Sequence, residues 1–131
     1  MSNQQVIQAY RHIYRATLRA VCYAQPATTI ARRQLREAFR APDAQYDEKA
    51  IKRTERFLRN ASKCTGIEHK IVKNMLFIKY WKDQTDYQEQ PTWRMIVEER
   101  APKKSSLISD TAYFHYQKTI VMLNKSMGLC L

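Results

Sequence analysis

Apolar positions recur at steps of three and four along most of this chain. Over residues 3–24, Val6, Tyr10, Ile13, Tyr14, Thr17, Leu18 and Val21 keep that spacing. They fall on one face of a helix, which Pro26 closes. Arg11, Arg15 and Arg19 make a stripe along one edge of that face. A second helix is predicted over 29–40, capped by Thr28 or Thr29. Ala31, Leu35, Ala38 and Phe39 form its apolar side, Arg32, Arg33, Arg36 and Arg40 the other, and Pro42 ends it. A third, over 47–64, opens on Asp47 and carries Ala50, Ile51, Thr54, Phe57, Leu58 and Ala61; Gly66 suits a C-terminal cap.

The most apolar stretch, 67–82, predicts a fourth helix through Ile67, Ile71, Val72, Met75, Leu76, Ile78 and Trp81. Residues 83–106 read as irregular and polar, with Pro91, Pro102 and the run Lys103-Lys104-Ser105-Ser106, relieved by one short ordered piece at 93–97. A last helix over about 110–127 starts at Ser109 or Asp110, presents Tyr113, Tyr116, Ile120, Leu123 and Met127, and stops at Gly128. Two glycines and four prolines supply too few turns for a sandwich or barrel. The expected fold class is therefore all-α. At 131 residues and 44% hydrophobic, one domain with a single core is expected over 1–131.

Charge changes the picture more than composition does. The formal net charge is +11, from 23 Lys+Arg against 12 Asp+Glu, and such a surface repels itself unless it meets something acidic. RNA, anionic lipid and an acidic protein all qualify. The first acid is Glu37, so the opening helix is Arg-rich and acid-free, the character of a mitochondrial targeting segment retained within the fold. The plain alternative is a basic helix with no such role. Cys22, Cys64 and Cys130 are odd in number and widely spaced, as unpaired thiols in a reducing compartment would be. The apolar run 71–81 is too short to span a membrane and is broken by Lys73, Asn74 and Lys79.

Several chemistries are excluded or discounted. Gly66 and Gly128 stand alone, so neither a dinucleotide fold nor a P-loop has its glycines. Cys64 and His69 are half of a zinc site at best, and read better as a buried Cys beside a surface His. Asp47-Glu48 and Glu98-Glu99 are adjacent and point apart, so neither pair shares a proton. No catalytic constellation emerges and the protein is expected not to be an enzyme. Tyr80, Trp81 and Lys82, or Trp93 and Arg94, have the types that stack bases and hold phosphate. Trp81, in an apolar helix, reads as core, which leaves the RNA signal mostly one of charge.

Ile13-Tyr14-Arg15, followed by Leu18-Arg19, resembles the Leu-Tyr-Arg triad of the LYR-motif family. Leu35-Arg36-Glu37-Ala38-Phe39-Arg40 is similar to that family's second landmark, an Arg-x-x-Phe-Arg close of helix two, and Glu55-Arg56-Phe57-Leu58 falls in a third helix. The match runs over about residues 5–62. Ile13 replaces the usual Leu, and Ala9-Tyr10-Arg11 repeats the pattern one turn earlier, so two registers stay open. The whole chain, including 66–70 and 124–130, resembles a fungal group of LYR-like proteins. Residues 67–131 have no counterpart in the minimal family, and either bind a client or close the bundle.

The resemblance implies a three-helix antiparallel bundle, here extended by two further helices. It implies a small non-enzymatic adaptor of the mitochondrial matrix that binds the mitochondrial acyl carrier protein. The carrier brings an acyl-4′-phosphopantetheine chain, and the adaptor itself holds no cofactor or metal. Clients would be a respiratory complex, the Fe–S machinery or the mitoribosome. Carried onto this chain, docking falls to Arg11, Arg15, Arg19, Arg32, Arg36 and Arg40. The chain groove falls to Tyr10, Ile13, Tyr14, Leu18, Leu35, Phe39, Phe57 and Leu58. Each buried methylene contributes roughly 0.8 kcal/mol, so a chain of about eight to fourteen carbons outweighs any one ion pair. Taken singly, Ile13, Leu35 and Leu58 read better as ordinary core; the arginines as a set read as a docking edge. The alternative is a mitoribosome-associated or RNA-binding protein using the +11 surface and the C-terminal helices.

Overall fold

The computed structural model describes residues 3–42, 45–88 and 107–131. They form five helices and no strand: α1 (Asn3–Ala20), α2 (Ala27–Arg40), α3 (Glu48–Lys63), α4 (Ile67–Gln88) and α5 (Leu107–Met127). The short ordered piece expected at 93–97, the lysine pair at 103–104 and the rest of 89–106 lie outside the described residues.

The helices start and stop for local reasons, some of them unlike those the sequence suggests. α1 ends at Ala20, earlier than expected, because Cys22 (φ 51°) and Tyr23 (φ 55°) turn left-handed. The Tyr23 amide then donates to the Leu18 carbonyl at 3.1 Å, an i−5 bond that closes the helix end. α2 begins at Ala27 behind Pro26, and neither Thr28 nor Thr29 caps it. Their hydroxyls bond instead to the Ala24 carbonyl (2.9 Å) and the Gln25 Oε1 (2.9 Å). Asp47 does cap α3, accepting from the Lys49 and Ala50 amides at 2.9 and 3.2 Å. Gly66 is not a C-cap: α3 ends on an extended Cys64, and the Gly66 carbonyl accepts from Lys70 at the first turn of α4. α4 runs past 82 to Gln88, and α5 begins at Leu107, so Ser109 and Asp110 lie inside it rather than ahead of it.

Packing forms a ring of four helices. α1 lies against α2 and α3, and α4 closes the ring by lying against both of the same two. Small residues, Ala16 and Ala20 on α1, Ala31 on α2 and Ala61 on α3, let the backbones approach. Ile13, Ile30, Phe57, Leu58, Val72 and Leu76 fill the middle. Burying a side chain such as Phe57 contributes about 1.5–3 kcal/mol. α4 is therefore a wall of the same core that α1–α3 build, and closing the bundle is part of what residues 67–131 do. Arg33 and Lys79 reinforce that wall through a shared partner, Asp83.

α5 is different. Among the described residues it makes no extensive contact along the other four helices, although Tyr113, Tyr116, Ile120 and Leu123 are half-buried and Lys82 of α4 lies 5.3 Å from the Tyr113 ring centre. Phe114, Val121, Met122 and Met127 on α5 are exposed. Gly128 (φ 65°) stops it as expected, with the Leu129 amide donating to the Asn124 carbonyl at 3.0 Å. The chain then turns inward and buries Leu129 among the core residues.

Candidate functional site

The two candidate registers of α1 fold alike. Ala9 and Ile13 are buried, Tyr10 and Tyr14 are half-buried, and Arg11 and Arg15 are exposed. The step of four stacks the two tyrosine rings with centres 5.8 Å apart. Phe39 of α2 meets Tyr10 edge-on at 5.2 Å, and the Arg32 guanidinium lies 5.8 Å from the Tyr14 ring centre. The α1–α2 seam is thus an aromatic ladder.

Arginines surround that seam. Val6, Ile7, Tyr10, Phe39, Arg36 and Arg40 line a shallow cleft of about 330 Å³. Arg32, Arg36 and Arg40 follow each other at helical steps along α2, and Arg11, Arg15 and Arg19 run along the exposed edge of α1. All six are exposed, and among the described residues none has an ion-pair partner. The acids nearby are engaged elsewhere: Glu37 with Arg33, Glu48 with Lys52, Glu55 with Arg59 and His12. Six uncompensated cations on two adjoining helices attract an anionic surface and repel one another.

The residues expected to line an open groove divide. Tyr10 and Phe39 border the arginine-rimmed cleft. Ile13 and Leu35 border two deeper cavities, of about 290 and 370 Å³, and Leu58 borders the larger of them. Leu18 and Phe57 are buried and border none of these three. Tyr14 lies under Arg32 and also borders none of these three. Val72 and Leu76 of α4 and Leu129 share one core with Ile13, Phe57 and Leu58.

A further cavity, of about 520 Å³, lies where the α1–α2 turn meets α4. Alanines and Ile30 form one side, Phe77, Tyr80 and Trp81 the other, and Cys22 stands on its border. Trp81 is 52% exposed there, not the core residue its helix suggests. Its neighbours Phe77 and Tyr80 meet it edge-on at 6.0 and 5.6 Å. No periodicity signals this, because α4 mixes apolar and charged residues on every side and pattern alone cannot say which side faces inward.

Cys64 and His69 also reverse their expected roles: the thiol is exposed, and the half-buried ring has Nδ1 at 3.2 Å from the Ala61 carbonyl. Among the described residues no three His, Cys, Asp or Glu side chains gather as a metal site would require, and no helix is long and apolar enough to cross a membrane. Among the described residues two groups depart from their ordinary pKa. The hydrogen bond and charge of Glu48 hold Lys52 above the usual lysine value, and burial pushes the Tyr116 phenol up. Neither borders the cavities described. No protein-family model matches the chain, and neither a curated protein nor a solved structure matches it.

Proposed function

We propose that this protein is a non-enzymatic adaptor of the LYR-motif type, which docks an acidic acyl carrier protein in the mitochondrial matrix and supports assembly of a client complex. The observation that carries the reading is the set of six arginines beside the Tyr10–Phe39 cleft, none with an ion-pair partner among the described residues. Acidic carriers are steered by such a field and held by several charge-assisted hydrogen bonds to guanidinium groups. Arg36 and Arg40 at the cleft mouth suit the phosphate of a phosphopantetheine arm, and the apolar cavities behind suit its acyl chain. Ile13-Tyr14-Arg15 and the Arg36/Phe39/Arg40 landmark add the family resemblance. The client, whether respiratory complex, Fe–S machinery or mitoribosome, would be met by other surfaces.

RNA is the second reading, favoured by the same arginines and the tyrosine rings beside them. It is weaker, because base stacking needs free ring faces. Tyr14 and Tyr10 stack on each other, Arg32 lies near Tyr14, and Phe39 abuts Tyr10. A gel shift at low salt separates the readings: no retardation removes RNA. Combining Arg11→Glu, Arg15→Glu and Arg36→Glu tests the carrier. Co-purification of an acyl carrier protein is expected to be lost, and a carrier still bound after all three changes assigns docking to another surface. Mass spectrometry of the native complex reads the acylated phosphopantetheine on the partner.

A further inference from the structure

The arginine-rimmed cleft is the outermost of three adjoining cavities. It shares Val6 and Phe39 with the 290 Å³ cavity, which extends between α1, α2 and Tyr46 and Ile51 at the start of α3. That cavity shares Ile13, Leu35, Ala38 and Cys130 with the 370 Å³ one, whose far end is Val72, Met75 and Leu76 of α4. The cavities therefore adjoin in series from Arg36 and Arg40 to the inner face of α4, with Val6 and Phe39 between the first two. The segment that follows α5 stands between the two inner ones.

That segment is held by few and releasable contacts. Leu129 is buried, and Leu131 forms part of the wall of the inner cavity. The Cys130 amide donates to Thr54 Oγ1 at 2.9 Å, and the Cys130 Sγ lies 3.2 Å from the same oxygen. The Asn124 side chain clasps Leu131 from both sides, accepting from its amide at 3.1 Å and donating to its carbonyl at 3.2 Å. Water replaces these hydrogen bonds when the segment leaves.

We propose that residues 129–131 are a displaceable plug in an alkyl-chain tunnel. The chain enters between Arg36 and Arg40, passes Phe39, and takes the place of Cys130 and Leu131 between α1 and α2. The proposal rests on the carrier-docking reading, which supplies the occupant. The apolar end of the chain leads and its anionic attachment stays outside. Lys79 and Glu37, the charged side chains bordering the inner cavity, are paired with Asp83 and Arg33, while the six edge arginines, without an ion-pair partner among the described residues, are exposed.

Locking the plug tests it. In a Cys22→Ser, Cys64→Ser background, Thr54→Cys puts a thiol beside Cys130, within the small movement that a disulfide requires. Diamide closes that bond and dithiothreitol reopens it, so each sample is its own folding control. The probes are an acyl carrier protein loaded with dodecanoyl-phosphopantetheine and the same carrier unloaded. The reduced protein is expected to prefer the loaded form at least tenfold. Oxidation should bring the two affinities level, and reduction should restore the preference. Asn124→Ala, which loosens the clasp, should raise it several-fold over the native chain. A preference that survives oxidation overturns the plug. Should the carrier bind in neither state, the docking reading falls, and free dodecanoate below its micelle concentration reads the tunnel alone. Binding at least tenfold weaker after oxidation keeps the plug; equal binding, or none, overturns it.

Discussion

At the scale of single residues, three positions carry more than their size suggests. Gly128 holds φ 65°, and a Cβ there would meet the Arg53 guanidinium. Gly128→Ala is expected to cost about 1–2 kcal/mol, measured by urea unfolding. Asp47→Ala removes the one side-chain cap seen on α3 and should cost about 1 kcal/mol by the same assay. Tyr23 sits exposed in a left-handed turn that a non-glycine residue adopts at a cost. Tyr23→Asn, which tolerates that turn, should raise the unfolding free energy by about 0.5 kcal/mol. Gly128 and Asp47 were legible because each acts within its own turn of helix. Gly66 and Thr28 were misread for the opposite reason. Their roles depend on how short the following linker is and which carbonyl comes within reach, and neither is visible in a spacing.

At the scale of helices, the existence of all five was legible and their partners were not. Period 3.6 marks an apolar face without saying what meets it, so α4 read as an extension and proved to be a wall. Val72 and Leu76 project into the core from it, and Leu76 borders cavities on two sides. Leu76→Ala is expected to cost about 2–4 kcal/mol and to join those cavities. On α1 the arginines give a sharper test. Arg15 stands one turn from both Arg11 and Arg19, so Arg15→Glu exchanges two repulsions for two attractions, worth about 0.2–0.5 kcal/mol each. The isolated protein should melt at a higher temperature while its affinity for an acyl carrier protein falls. A merely solvated helix edge would show the first effect without the second.

At the scale of the whole molecule, a charge of +11 sets the response to salt. Raising ionic strength shortens the Debye length to about 10 Å at 0.1 M and relieves the self-repulsion. Thermal unfolding should shift upward with salt while the association rate with an acidic partner drops. The positive edge was legible in the sequence because exposure is the default for arginine. The interior was only half legible: Leu18 and Phe57 were as apolar as Leu35 and Phe39, and only the number of walls around them decides which line a cavity. The three thiols have a practical value that follows from where they fall. All are exposed, yet Cys22 borders the cavity beside Trp81, Cys130 stands between the two inner cavities, and Cys64 lies at the far end of α3. A fluorophore attached to one at a time, the others changed to serine, would give three viewpoints on one molecule without any engineered attachment site, with Cys64 as the quiet reference for the other two.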